Sequence, residues 1–496
     1  MDYTSIRPTG AATGLLTTGK TSPVVVIGND EIRKTFDDQT LQQAFNARMC
    51  PGVSDVILNP DAHVGFGAPI GCVLLSGSHI YPGPVGVDVK CSMSLLQFDL
   101  PVEEISDKRL RRALINSIET RITTGFNSSA QLANARKYTD VQARQAVLEG
   151  ATPEVCQALG IPESWIDRCE DAFHLGHDST RDSLERRLDY LISCGLFRDL
   201  SRLYRQLGTY GGGNHFGECE AVQLVDDDPE TKRISDVFGL KPGCAAFLSH
   251  CGSRGFGNIL ARNQFRTLND KFELWGIPVP ANDRELVYAP VGTPEADDYL
   301  DDMALGGNFA TVNHLLINAL IAEAFEEILP GVRSNLVYCI SHNYIRQEPQ
   351  GPNDSMTFVH RKGATRAYPA NHFILKGTPF YTTGHPILLP GNPSSGSAVM
   401  VAQPGASLSR FSINHGAGRL LGRKEATRQL DQKTVDSQFL EEDILTNCRY
   451  YPLDEAPAAY KNFDEVLASV REAGLAKEIA RLNARFVIKD GSKADD

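Results

Sequence analysis

Residues 208–218 read Gly-Thr-Tyr-Gly-Gly-Gly-Asn-His-Phe-Gly-Glu. Glycine at this density lets the backbone approach a ligand closely and turn N–H groups toward an anion. A tight turn alone would explain the glycines, but a turn needs no imidazole, and His215 sits inside this one. The same mixture of glycine with His, Asn, Arg, Lys or Ser recurs in PDAHVGFGAPIG (60–71), HCGSRGFG (250–257), HRKGATRA (360–367), PGNPSSGSA (390–398) and NHGAGR (414–419). These segments fall mostly where strand signals end. Apolar, β-branched runs bounded by Gly, Pro or Asn predict strands over 24–27, 56–58, 71–75, 245–248, 336–340 and 398–402. Helical spacing predicts helices through about 103–207, over 315–328 and over 463–482. No internal repeat or low-complexity linker divides the chain. The expectation is a mixed α/β (α+β) single domain over residues 1–496, with central mixed sheets, surrounding helices and a helical insertion at about 103–207.

The chain has 496 residues, 42% of them hydrophobic and 22% charged, which is the balance of an ordinary globular protein with a large core. Its formal charge of −12 argues against loose, sequence-independent adhesion to nucleic acid, which needs many Lys and Arg on phosphates. Positive charge is instead focused in two clusters, Arg361, Lys362 and Arg366, and Arg419, Arg423 and Lys424; taken alone, each reads as a solvated face. Eleven cysteines without paired spacing do not form a disulfide framework and suit a reducing compartment. The segment MDYTSIRPTG lacks a signal pattern and no apolar run is long enough to span a bilayer, so a soluble, cytoplasmic protein without a membrane partner is expected. Residues 14–21, GLLTTGKT, spell a Walker A loop, but a polar arm precedes them and the 24–27 strand follows, where a phosphate loop requires strand, loop and helix in that order.

Several residue types point to chemistry. Asp88 and Cys91, three apart in VGVDVKCSM, can offer a carboxylate and a thiolate to one metal from a single turn. With His215, His250 and His342 they supply five O, S and N ligands, enough for two ions if the thiolate bridges; ligand softness alone favours zinc, with manganese or iron behind it. His415 is followed by Gly-Ala-Gly and Arg419, so an imidazole lies against bare backbone. A neutral imidazole can attack a phosphoryl group and form a phosphoramidate while backbone N–H groups and Arg take up the developing charge.

These segments, in this order, resemble the RtcB RNA ligase family. The matching pieces are PDAH with GFGAPIG, GVDVKC, GGGNHFGE, HCGSRGFG, NFATVNH, SHN, HRKGATRA, PG followed by SGSA, and NHGAGR, with EAPAAYKN and FVIKD extending the likeness to Lys489. The resemblance implies a mixed α/β fold of its own without a Rossmann sheet. It implies that Asp88, Cys91 and His215 hold a first manganese and Cys91, His250 and His342 a second, replacing zinc as the expected metal. It implies that His415 becomes linked to GMP. It also places Asn214, His215, Phe216, Gly217, Glu218, His342 and Asn343 at the guanylate, together with Pro390, Gly391, Asn392, Pro393 and Ser397. His415, Gly416, Ala417, Gly418 and Lys489 complete that group, and Tyr460 lies near the base.

The implied reaction consumes GTP and joins RNA 3′-phosphate or 2′,3′-cyclic phosphate ends to 5′-hydroxyl ends, in tRNA splicing or RNA repair, with an activating protein as a further partner in some settings. Lys90 and Ser92 replace the glycines usual on either side of Cys91, and Asn392-Pro393 replaces Ser-Met, which puts RNA preference and ligation efficiency in question. Lys90 is expected to weaken the metals or reposition an RNA phosphate. Two other functions compete: a two-metal phosphodiesterase or phosphatase, which needs the same ligands but not His415, and a non-ligating RNA-binding member of the family.

Overall fold

The computed structural model describes residues 2–17, 19, 22–125, 138–173, 179–351 and 355–491. The alternating apolar runs assemble into two large sheets. One has eight strands, in the order Ser334–Ser341, Ser92–Pro101, Cys244–Cys251, Phe216–Leu224, Ala476–Lys489, Gly396–Ala402 and Pro386–Asn392, with the short Leu445–Thr446 pairing off Ala476–Lys489. The other has seven, in the order Ile6–Gly10, Thr13–Leu16, Val24–Ile27, Val53–His63, Ile70–Ser76, Met356–Lys362 and Asn343–Pro349. Each of the six runs expected as strands lies within one of these strands or, for 71–75, inside Ile70–Ser76. The GLLTTGKT segment begins within Thr13–Leu16, which pairs antiparallel with Val24–Ile27; residues 18, 20 and 21 lie outside the described residues, and among the described ones the next element is this strand and not the helix a phosphate loop requires.

Both sheets bury apolar side chains between them. Ile27, Ile57, Val73, Leu75 and Val359 of the seven-stranded sheet share a core with Ile387, Leu389, Ala398 and Met400 of the eight-stranded sheet, as facing sheets do. The outer face of the eight-stranded sheet is covered by helices. The 35-residue helix Pro294–Ile328 is buried at every position from Asp302 to Ile321, its mostly apolar surface interrupted by hydrogen-bonded polar residues such as Asp302, Asn313 and His314. Around it pack Lys108–Arg121, Asp140–Glu149, Arg181–Ser193 and Arg254–Trp275. Leu114, Ile118, Val147 and Leu188 from the 103–207 region share one core with Leu96, Phe98 and Phe247 of the sheet. Among the described residues no helix is long and apolar enough to cross a membrane, and all eleven cysteines are free.

The helix expected over 463–482 is corrected. A helix runs only from Phe463 to Glu472; Gly474 turns at φ +70° and Ala476–Lys489 is a strand. Its Lys, Glu, Arg, Leu and Ala are good helix formers. This strand nevertheless lies inside the sheet, paired on both edges with Gly396–Ala402 and Phe216–Leu224, and two ladders of backbone hydrogen bonds outweigh a propensity of tenths of a kcal/mol per residue.

One buried ion pair ties the helical region to the central helix. Arg187 donates to Asp302 through Nε (2.8 Å) and Nη2 (3.1 Å), and Gln264 donates to the same carboxylate at 2.6 Å. Asp302 is fully buried, whereas the other carboxylate at Arg187, Asp298, is half exposed. Asp302→Ala therefore strips a buried guanidinium of its buried partner, and denaturant unfolding is expected to show a loss of about 3 kcal/mol. A change below about 1 kcal/mol would show that the pair does not hold these helices together.

Candidate active site

One chain crossing between the two sheets passes through a single residue. The chain leaves the eight-stranded sheet at Ser341 and enters the seven-stranded sheet at Asn343, so His342 stands at the crossing. Its N–H donates to the carbonyl of Cys91 at 2.9 Å, and the N–H of Lys90 donates to the carbonyl of Asn343 at 2.8 Å. These two bonds press the turn carrying Asp88 and Cys91 against the junction. His250 comes from the end of Cys244–Cys251, and His215 immediately precedes Phe216–Leu224, the neighbouring strand.

The five side chains expected as metal ligands converge. Their donor atoms form two sets, Asp88 with Cys91 and His215, and Cys91 with His250 and His342, each with all atoms within 4.8 Å of one another. Cys91 Sγ lies 3.1 Å from His250 Nε2 and 3.5 Å from His215 Nε2. His215 Nε2 is 2.8 Å from Asp88 Oδ2, and His250 Nε2 is 3.2 Å from His342 Nε2. The outer ring nitrogens fix the tautomers. His215 Nδ1 donates to the Tyr210 carbonyl (2.7 Å) and His250 Nδ1 to the Asn214 carbonyl (3.0 Å), leaving both Nε2 lone pairs turned inward. Burial holds His250 and His342 well below the ordinary imidazole range, and burial, with Asp88 beside it, holds the Cys91 thiol well above the ordinary thiol range. Facing lone pairs and a thiol that cannot ionise unaided are what a cation resolves, so the donor set fits two ions sharing one sulfur.

His415 follows the short strand Ser412–Asn414, and its ring lies 4.6 Å from that of His342. Its Nδ1 donates to Asp61 Oδ2 at 2.8 Å and lies 3.0 Å from the Gly363 carbonyl. Nε2 therefore carries the lone pair. Asp61 is fully buried in Val53–His63. Glycine is needed around it for space: a Cβ on Gly418 would stand 2.3 Å from the Asp61 carbonyl oxygen, and one on Gly71 would stand 2.5 Å from Asp61 Oδ1. The surrounding loop is held by two buried lysines. Lys461 Nζ donates to the carbonyls of Pro60 (3.1 Å) and Ala62 (2.7 Å), and Lys362 Nζ to those of Ala68 (3.0 Å) and Gly83 (3.1 Å).

A cavity of about 590 Å³ opens in front of His415, with Asn214, Phe216, His250, Pro390, Gly391 and Tyr460 on its wall beside Gly416, Ala417 and Gly418. Phe216, Pro390, Gly391 and Tyr460 also border a smaller recess that Glu218, Asn392, Pro393, Ser397 and Lys489 complete. Most residues expected at a guanylate thus share one continuous wall. Four do not. His215 and His342 face the ligand cluster, Gly217 packs its Cα near Tyr210 and Phe247, and Asn343 spends its amide on the Asp88 carbonyl (3.3 Å) and the Gly363 N–H (2.9 Å). Burial pushes Glu218 up to about 7 and raises its neighbour Glu220 well above the carboxylate range.

The solvated-face reading holds for Lys424, which is exposed, and is corrected for Arg361, Lys362, Arg366, Arg419 and Arg423. Arg361, Lys362 and Arg366 are buried. Arg361 grips Glu348 at 2.8 and 2.7 Å, and Arg366 binds Glu348 at 2.7 Å and Asp171 at 2.8 Å. Arg419 and Arg423 line the cavity but pair with Glu455 at 3.3 and 2.5 Å. Lys90 takes up the backbone of the glycine it replaces (φ +51°) and points inward, its Nζ donating to Thr311 Oγ1 at 2.6 Å. It does not reach the cavity. Ser92 Oγ is taken by His314 Nδ1 at 2.7 Å. The sequence reading gave no role to Asp61 or to Glu455, which also accepts from Tyr460 (2.7 Å) and Lys489 (3.0 Å); their signal was membership of the quoted PDAH and EAPAAYKN segments.

A family model described as RtcB, "tRNA-splicing ligase RtcB", matches residues 43–490. The chain is 32% identical over 484 residues to the "tRNA-splicing ligase RtcB" of Nanoarchaeum equitans (strain Kin4-M), covering 94% of this chain and 95% of that protein. It is 31% identical over 481 residues to the protein of the same name from Thermococcus kodakarensis (strain ATCC BAA-918 / JCM 12380 / KOD1), covering 94% of each. The "RNA-splicing ligase RtcB" of Mycobacterium tuberculosis (strain ATCC 25618 / H37Rv) is 31% identical over 451 residues, 89% of this chain and 98% of that protein.

The ligand cluster makes a prediction of its own. A Cβ on Gly252 would stand 2.4 Å from Asp88 Oδ1. Gly252→Ala should leave the circular dichroism of the fold unchanged and lower divalent-metal affinity about 10- to 100-fold in calorimetric titration. Unaltered affinity would mean that Asp88 is not a ligand.

Proposed function

The chain belongs to the RtcB family of tRNA-splicing ligases, and on that premise we propose that it seals RNA 3′-phosphate or 2′,3′-cyclic phosphate ends to 5′-hydroxyl ends in the cytoplasm, using GTP and two manganese ions. The observation that carries this reading is the orientation of His415. Its Nδ1–H is fixed on buried Asp61 and its free Nε2 lies beside the ligand cluster at the wall of the large cavity.

Asp88, Cys91 and His215 would hold one manganese and Cys91, His250 and His342 the other. Bound there, the ions supply Lewis acidity to phosphoryl oxygens. His415 Nε2 attacks the α-phosphate of GTP, the phosphorus–nitrogen bond forms and pyrophosphate leaves. Asp61 stabilises the charge that the ring acquires. The RNA 3′-phosphate then takes GMP from His415, and the 5′-hydroxyl displaces GMP as the phosphodiester forms. Within the recess the Glu218 carboxyl is suited to accept from the N–H edge of guanine, while Tyr460 and Lys489 are fixed on Glu455. Backbone around Gly416 and Gly418 gives phosphate oxygens an approach without side-chain obstruction. The hydrolytic alternative accounts for the five metal ligands but leaves the Asp61–His415 pair without a use. The non-ligating alternative would fail to join RNA with every end chemistry despite bound GMP.

Incubation with manganese and GTP labelled at the α-phosphate is expected to leave acid-labile GMP on the protein, none on His415→Ala, and none after chelation by EDTA. Asp61→Asn removes the carboxylate charge and offers an N–H donor to Nδ1, which disturbs the tautomer, and should slow labelling about 10²- to 10⁴-fold. Label on His415→Ala would end the proposal.

A further inference from the structure

Resting on that ligase reading, we propose that His63 is a further catalytic residue: its Nε2 takes the proton of the RNA 5′-hydroxyl as that oxygen attacks the activated 3′-phosphate. His63 Nδ1 lies 2.8 Å from the carbonyl oxygen of Asp61. A carbonyl only accepts, so Nδ1 carries the hydrogen and Nε2 the lone pair. No hydrogen bond from protein reaches Nε2 among the described residues, and His63 lines the large cavity. Asp61 therefore orients two imidazoles at once, His415 through its carboxylate and His63 through its backbone carbonyl, and both side chains border the same space.

Position and chemistry select the step. Phe216, Pro390, Gly391 and Tyr460 continue from the cavity into the recess assigned to guanylate, whereas His63, with Thr35, Val64 and Ile70, borders the cavity alone. In an in-line displacement the entering oxygen approaches from the side away from the leaving group. GMP leaving toward the recess places the entering hydroxyl at the remaining wall. Two carboxylates also line the cavity, and both are engaged: Asp37 accepts from the N–H of Thr40 at 2.7 Å and Glu425 from Gln429 Nε2 at 2.9 Å. Guanylylation has no use for a second base, because His415 already presents a lone pair. The joining step does: the bond from the hydroxyl oxygen to phosphorus forms, the bond from phosphorus to the GMP oxygen breaks with its electron pair on GMP, and the proton passes to His63 Nε2. Burial, followed by the nearby Lys461, His415 and Arg419, pushes His63 down to about 3, so the ring enters this step neutral. Phosphates arriving in the cavity oppose those cations and raise its basicity for the transfer.

The test separates the three steps with full-length protein and manganese. Protein guanylylation is followed with α-labelled GTP, RNA activation with a 3′-phosphate strand, and joining with a purified strand already ending in the guanylate cap and a 5′-hydroxyl strand. His63→Ala and the more conservative His63→Gln are expected to take label and cap RNA at near wild-type rates. Both should slow joining about 10²-fold or more and accumulate capped RNA. Joining at the wild-type rate in both variants overturns the proposal, and so does an equal fall of all three steps in His63→Gln, which would be a structural effect. A wild-type protein that takes no label from GTP overturns the ligase reading and this inference with it, whereas labelling with normal joining removes His63 alone.

Discussion

Burying one thiol, three imidazoles and a carboxylate with their donor atoms turned on each other is unfavourable unless something positive sits among them. Cys91, His250 and His342 carry the cost: burial holds the thiol well above its ordinary range and the two imidazoles well below theirs, each shift favouring the uncharged form beside the Asp88 carboxylate. The fold is arranged to impose this convergence. Four separate strand ends and one turn deliver the ligands, and the crossing from one sheet to the other at His342 fixes the turn through the Cys91 carbonyl. A site assembled from rigid strand ends holds its donors in place before any ion arrives, which is the condition for binding without reorganisation.

The same economy governs Asp61. One residue, fully buried, sets the tautomer of His415 by its side chain and that of His63 by its carbonyl. Glycines at 71 and 418 leave no room for a side chain against it, and Lys461 bonds to the carbonyls on either side. Glycine-rich segments first legible as ligand-approach loops are thus also packing devices. NHGAGR needs Gly418 for Asp61 as much as for any phosphate.

The five side chains that converge were legible because thiolate, imidazole and carboxylate in glycine-rich turns have few cheap structural explanations, and the ordered motifs carried the family. It located strands where β-branched runs were short and bounded. It missed where local preference and tertiary pairing disagree: KEIARLNAR is a good helix by composition, and only its neighbours on both edges make it a strand. Asp61 was invisible for a related reason. A lone Asp beside a Pro reads as a turn residue, and its value lies in a contact with His415, 354 positions away. The basic clusters misled in the opposite direction, since charge adjacent in sequence gives no sign of the acids that Glu348, Asp171 and Glu455 bring from elsewhere.

Those internal pairings bear on how the protein meets RNA. Arg361 and Arg366 are neutralised inside the molecule, and Arg419 and Arg423, although on the cavity wall, are bound to Glu455. With a formal charge of −12, little is left for the general phosphate-backbone attraction on which non-specific nucleic-acid binding depends. On the proposed function, affinity would come from the chain end itself: a terminal phosphate carries more charge than an internal one, and the five clustered donors lie where metal ions would meet it. With Arg361, Arg366, Arg419 and Arg423 all paired to carboxylates, the proposed ligase would read the ends of RNA more than its length. Lys90 follows the same rule, since its charge is turned inward onto Thr311 and not toward the substrate cavity.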